Sequence, residues 1–150
     1  MKDVFSPRVT AELVDRIQAL EPDQSPRWGK MNVAQMLAHC SVPYEMVLED
    51  RHPRPGPLLR LFLRLFVKRS VTNRKPYRRN LPTTPAFRVP AEQDFHRERE
   101  RLIAYLEQVE ALGADHFHGR EHPSFGPLTR DEWSNLFYKH LDHHLTQFGV

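Results

Sequence analysis

The chain has 150 residues and a mass of 17.7 kDa, a length that suits one domain, residues 1–150, with its own core. Its single cysteine, Cys40, excludes an intrachain disulfide framework and fits a reducing, cytoplasmic setting. No run approaches the ~18 uninterrupted apolar residues of a transmembrane helix, and Met1-Lys2-Asp3-Val4-Phe5-Ser6-Pro7 lacks a signal-peptide core.

The net charge of +3 hides a division. No acidic residue lies between Arg51 and Ala91, while ten basic ones lie between Arg51 and Arg79, so that stretch carries +10 and the rest of the chain −7. Such a block reads as an anion-binding surface or as a solvated insertion.

Four main helices are expected, in an all-α fold. The first opens at Ser6-Pro7, a cap with proline at the first helical position, places Val9, Leu13, Ile17 and Leu20 on one side and stops before Pro22. The second follows an Asn32 cap, with Gln35 completing a capping-box-like pattern, and runs to about Glu49. About 40 residues then intervene, far more than the 2–8 of a simple helix–helix turn, and seven of the 13 prolines fall between Pro53 and Pro90. Inside this crossover, Leu58–Arg69 forms a short helix with Arg60, Arg64 and Lys68 on one narrow polar stripe. The third main helix begins near Pro90, carries Phe95, Leu102, Leu106 and Val109, and ends at Gly113. The fourth starts from a capping box of Thr129 with Glu132 and continues to about Phe148. Four helices with one long crossover form a bundle with two parallel neighbours.

The apolar stripe of the fourth helix is Trp133, Leu136, Phe137, His140, Leu141, His144, Leu145 and Phe148, the i, i+3, i+4, i+7 spacing of a core-facing helix. Two imidazoles thus point at the core, where an unpartnered one is costly. Residues one turn apart have Cβ atoms roughly 5–6 Å from each other, so both rings can reach one cation. The second helix supplies His39 on the side of Met36 and Met46. If the second and fourth helices run antiparallel, His39 is level with the 140/144 pair; if parallel, it is offset by roughly 9 Å. Three imidazoles with an open fourth position are a catalytic-type set, whereas closed structural zinc sites usually have four ligands. Spacing alone does not exclude His143, only about 60° around the helix from His140. Pro43 withdraws a hydrogen bond from the His39 carbonyl, and a kink there would aim the imidazole.

Other chemistry-bearing residues have blander expectations. His116, His118 and His122 read as loop histidines, His52 and His96 as surface residues, and Cys40 as a small buried hydrophobe. Trp28, Trp133, Tyr138 and Phe148 read as core residues, with bordering a pocket as the alternative.

The residues Trp28, Met36-Leu37-Ala38-His39-Cys40 and His140 through Gln147 resemble the DinB/YfiT-like superfamily of metal-binding four-helix bundles. The run from His122 to Trp133, followed by Tyr138-Lys139-His140-Leu141-Asp142-His143-His144, resembles an uncharacterised branch of it. The resemblance implies an up-down-down-up bundle with His39, His140 and His144 as ligands of a divalent metal, zinc or nickel foremost, and His143 as a spare. Many relatives carry Arg-Gly-Gln after the paired histidines, where this chain has Leu145-Thr146-Gln147. Characterised relatives use low-molecular-weight thiols, which implies a metal-dependent S-transferase acting on a small electrophile. A metal-dependent hydrolase and a non-catalytic, metal-stabilised interaction module are the alternatives, since fold does not fix function.

Around such a centre, Glu45, Asp142 and Gln147 are candidates for orienting ligands or moving protons. Arg60, Arg64 and Lys68 are candidates for attracting an anionic thiol. The wide apolar arc of the Leu58–Arg69 helix calls for a lid role, a homodimer surface or a membrane surface. Nucleic acid is not expected, because the arginines lack interleaved aromatics and any nucleic-acid motif.

Overall fold

A computed structural model describes residues 1–81 and 85–150; Pro82, one of the seven crossover prolines, lies outside them. The described residues are mostly helical: α1 Pro7–Gln18, α2 Val33–Tyr44, α3 Pro57–Phe62, α4 Lys68–Thr72, α5 Phe95–Phe117 and α6 Arg130–Phe148. A π-helical turn, Glu45–Glu49, extends α2, and a second, Leu63–Val67, joins α3 to α4. Two short antiparallel strands, β1 Glu121–His122 and β2 Gly126–Pro127, precede α6 and were not foreseen.

The core is built from the expected faces. Val9, Leu13 and Ile17 of α1, Phe95, Leu102, Leu106 and Val109 of α5, and Trp133, Phe137, Leu141, Leu145 and Phe148 of α6 are all buried. Aromatic stacking joins the elements: Tyr44 of α2 lies between Tyr105 of α5 and Phe137 of α6, with ring centroids 5.8 and 4.7 Å away.

Helix boundaries follow local hydrogen bonding, with some departures from expectation. Thr129 and Glu132 form the full capping box. At α2, Asn32 accepts from the Gln35 amide at 2.8 Å, but the Gln35 side chain turns away to the Val89 carbonyl. Ser6 has the extended backbone of a cap without a side-chain bond. The third main helix starts at Phe95 instead of Pro90, because Asp94 accepts from the Arg97 amide and thereby fixes the first turn. It also does not end at Gly113: the chain bends there at φ 76° and resumes helix to Phe117. That last turn delivers the Phe117 ring into the core, within 5.8 Å of the rings of Phe5, Trp133 and Phe137.

The crossover is not a loose connection. Its last residues form a strap along α2, in which Phe87, Val89 and Ala91 carbonyls accept from His39, Gln35 and Asn32 respectively, at 2.9, 2.7 and 3.0 Å. Near its middle, the carbonyl groups that close α4 are taken up by α6. Asn135 Nδ2 donates to Thr72 O at 2.9 Å, and the buried Lys139 Nζ donates to Ser70 O at 2.6 Å and to Asn73 O at 3.2 Å. A cation at a helix C-terminus also opposes the negative end of the helix dipole.

Candidate metal centre

His39, His140 and His144 meet where α2 crosses α6. Each offers one ring nitrogen, and the three atoms lie within 4.8 Å of one another. His39 Nε2 and His140 Nε2 are 3.1 Å apart, close to the roughly 3.3 Å that two ligands at 2.0–2.1 Å subtend on a tetrahedral zinc ion. His39 and His144 are buried and His140 is partly so.

The outer nitrogens decide what the inner ones offer. His39 Nδ1 lies 2.9 Å from the Phe87 carbonyl, which can only accept, so Nδ1 carries the proton and Nε2 presents a lone pair. His144 Nδ1 lies 2.8 Å from Gln147 Oε1, and the Gln147 amide donates its own N–H to the Trp28 carbonyl at 2.6 Å. That second bond fixes which end of the amide is oxygen, and hence that His144 also donates from Nδ1. Two buried lone pairs therefore converge. Burial holds His144 neutral, its pKa pushed down to about 3. Burial likewise lowers His39, and for His140 burial and then the neighbouring imidazoles push the pKa far down. Neutral rings are the form that binds metal, so the three histidines could hold a metal ion without first losing protons.

Gly29 permits the Gln147 contact. Its φ of +86° is left-handed, and a Cβ there would run into the Gln147 amide nitrogen. The polypeptide thus passes close over Gln147 only because position 29 lacks a side chain.

The other candidates separate. Among Glu45, Asp142 and Gln147, only Gln147 touches a histidine of the trio. Asp142 pairs with Arg16 of α1 at 2.8 Å, and Glu45 pairs with Arg101 and, at 2.7 Å, with His52. His52 is accordingly a hydrogen-bond partner of Glu45 and not a free surface group. Arg60 pairs with Glu121 at 2.5 Å and Lys68 with Glu132 at 3.0 Å, while Arg64 lies against Gly126. His143 stays outside the trio, with the Trp28 and Tyr77 rings each 5.7 Å from its own. Its Trp28 neighbour is half-buried, with the Arg79 guanidinium 4.3 Å over its ring. Cys40 is fully buried against Met36, and burial raises its thiol far above the ordinary range, so it remains an inert hydrophobe. Trp133, Tyr138 and Phe148 are core. His122 is not a loop histidine: it is buried on β1, its ring stacked 4.5 Å from Phe125.

Sequence reasoning missed Phe87, Arg79 and Lys139. A backbone carbonyl such as that of Phe87 has no side-chain signature, and Arg79 was one cation in a long basic run. Lys139, in contrast, sits between Tyr138, read as core, and His140 of the inward stripe, which was a usable signal.

No curated protein matches the chain, and no solved structure matches it. One family model, described as "Protein of unknown function (DUF1569)", matches residues 8–149. That match spans nearly the whole chain, including the strap, the three histidines and Gln147, and the protein therefore belongs to the DUF1569 family.

Proposed function

We propose that His39, His140 and His144 bind one divalent cation, zinc or nickel, in a DinB-like bundle, and that the protein is a cytoplasmic metal-dependent S-transferase joining a low-molecular-weight thiol to a small electrophile. The observation that carries the metal reading is the pair of Nδ1–H bonds to Phe87 and Gln147, which leaves two Nε2 lone pairs facing a third imidazole. Metal-binding histidines are oriented by such partners on their other nitrogen.

Contact order supports the up-down-down-up arrangement. Along α6, Ser134 meets Val4 just before α1 and Thr146 meets Arg16 near its end, an order that supports parallel α1 and α6. Phe137 meets Tyr44, His140 meets His39 and Gln147 meets Trp28, the reversed order of an antiparallel α2. Arg101 meets Glu45 and Tyr105 meets Glu49 on the turn that extends α2, an order that supports a parallel α5.

A divalent cation held by the trio supplies Lewis acidity that eases loss of a proton from a thiol or a water. The chain's own residues do the rest. The Phe87 carbonyl and Gln147 hold two imidazoles in direction, and the Phe87 ring lies beside them, 5.6 Å from His39 and 5.8 Å from His140. Arg79, whose charge bears on His143 and whose guanidinium lies over Trp28, is a cation at this end of the molecule and would hold the carboxylate of an anionic thiol. It takes the place expected for Arg60 and Lys68, which are drawn to Glu121 and Glu132.

The enclosure of His39 and His144 favours one other reading, a metal that stabilises the bundle without turnover. Metal analysis of untagged protein, wild type against His39→Ala, tests the centre: stoichiometric metal lost in the variant is expected, and its absence from both ends the metal reading. Chelator-sensitive conjugation of glutathione to a model alkylating electrophile, weakened by Arg79→Gln, supports the transferase. Large destabilisation on chelation with no turnover selects the structural role.

A further inference from the structure

The crossover helix is turned inside out. Its charged stripe faces the body of the protein: Arg60 reaches Glu121, Lys68 reaches Glu132 and the Pro127 carbonyl, and Leu63, Val67 and Val71 pack on the core between them. The opposite face holds Leu58, Leu59, Leu61, Phe62, Leu65 and Phe66, each more than half exposed and reaching 84% at Leu58 and 70% at Phe66. The spacing accounts for both faces, since residues 60, 63, 64, 67, 68 and 71 share one side at i, i+3, i+4 intervals and the remainder must point away. Six large apolar side chains presented together exceed the scattered exposure ordinary on a monomer and call for a covering surface.

Charge says what covers it. Arg69 lies on the outward side two turns from Phe62, and Lys75 and Arg78 follow; all three are exposed and have no carboxylate partner among the described residues. Arg54 and Arg74 flank the helix in only long, exposed pairs of 3.4 and 3.6 Å. A second copy docking through the same face would bring these cations against their own images, which opposes association. A sheet of anionic headgroups over a hydrocarbon layer meets both features at once, the Leu and Phe side chains entering the interface while Arg and Lys remain at headgroup depth.

We propose that the outward face of α3 and the turn after it docks the protein in-plane on an anionic lipid surface. The apolar face lies on the side of the β1–β2 turn, where Arg60 meets Glu121 and Arg64 lies against Gly126, and none of its six residues is among the neighbours of the histidine trio, so this inference does not depend on the metal reading.

Vesicle sedimentation of the full chain tests it, with phosphatidylcholine vesicles alone and with phosphatidylglycerol added. Binding to the anionic vesicles is expected, at least about tenfold tighter than to the neutral ones and weakened by high salt. Phe62→Ser/Phe66→Ser should abolish it with unchanged far-ultraviolet circular dichroism, since both rings are exposed and their loss leaves the core intact. Arg69→Glu/Lys75→Glu/Arg78→Glu should reduce anionic binding about tenfold while leaving weak binding to neutral vesicles unchanged. Equal affinity for the two vesicle types, or none for either, overturns the proposal. So does a lipid-free dimer in analytical ultracentrifugation that the double-serine variant dissociates, because a second copy would then cover the face.

Discussion

Gln147 Oε1 accepts a hydrogen bond from His144 Nδ1 at 2.8 Å, one helical turn along the same face of α6. The Gln147 amide is held in that sense by the Trp28 carbonyl, 119 positions before Gln147 in the chain, so the tautomer of His144 is set from far away in the sequence. Gln147→Leu removes the acceptor, leaves the Nδ1–H buried without a partner and frees the ring to turn. We expect a 10- to 100-fold loss of metal affinity, the usual effect of deleting such an orienting partner, read by competition with a chromogenic chelator. Unchanged affinity would show that helix packing alone orients His144.

Gly29→Ala should produce a related defect from the opposite side of the contact. The new methyl group meets the Gln147 amide, and the backbone must hold a left-handed φ of +86°. The strain falls on the Gln147–His144 bond first, so metal affinity should drop by about tenfold alongside a stability loss of about 1–2 kcal/mol. In Gln147→Leu/Gly29→Ala the two losses should be less than additive, because both act through one contact. Full additivity in that double-mutant cycle would separate them.

His122 gives the protein a pH dependence independent of any metal. Its Nδ1 accepts from the Ser124 amide at 3.1 Å, and burial, with Arg60 adding to it, pushes its pKa down to about 4. The unfolded chain, with a histidine near 6.5, binds more protons than the folded one between pH ~6.5 and ~4, so stability falls as pH is lowered through that window. The contribution is on the order of 3 kcal/mol once both states have been crossed. His122→Gln keeps an acceptor for Ser124 but does not titrate. Urea unfolding of both proteins at several pH values should show the variant less stable near neutrality, with the gap closing toward pH 4. The other buried histidines cancel in this comparison, and parallel stability curves would remove His122 as a source.

How much of this was legible in the sequence depends on where the information sits. The trio was legible because an amphipathic helix reports its inward face through spacing, and His140 and His144 occupy positions that only apolar residues otherwise hold. The capping box at Thr129 was legible for the same reason: it is local. The strap along α2 was not, because Phe87, Val89 and Ala91 act through carbonyl oxygens that every residue has. The start of α5 was misplaced because Pro90 and Asp94 both suit a helix beginning, and Asp94 prevails by capping the Arg97 amide. The direction of the crossover helix was undetermined, since its apolar arc is too wide to mark one inward side, and Glu121 and Glu132, far along the chain, draw the narrow charged stripe inward.

Lys139 tests whether the crossover is held by α6 or merely rests on it. The side chain is buried, burial pushes its pKa down to about 8, and its ammonium lies 4.5 Å over the Tyr77 ring while donating to Ser70 O, Asn73 O and Asn73 Oδ1. Lys139→Met fits the same volume and removes the charge, leaving those acceptors facing an apolar chain. Orphaned acceptors in a buried place cost roughly 1–3 kcal/mol, and we expect a loss of about 2 kcal/mol in denaturant unfolding. The location of the loss is the sharper readout. Amide exchange should accelerate at residues 70–73 and near Tyr77 while the α1–α5 contact stays protected, because Asn135 holds only Thr72 in place. Tyr77 also packs against His143, so loosening it should raise the solvent accessibility of that imidazole, measurable as faster modification by diethyl pyrocarbonate. If exchange is unchanged across the crossover, the ammonium is satisfied by these groups without holding them, and the crossover owes its position to the strap along α2.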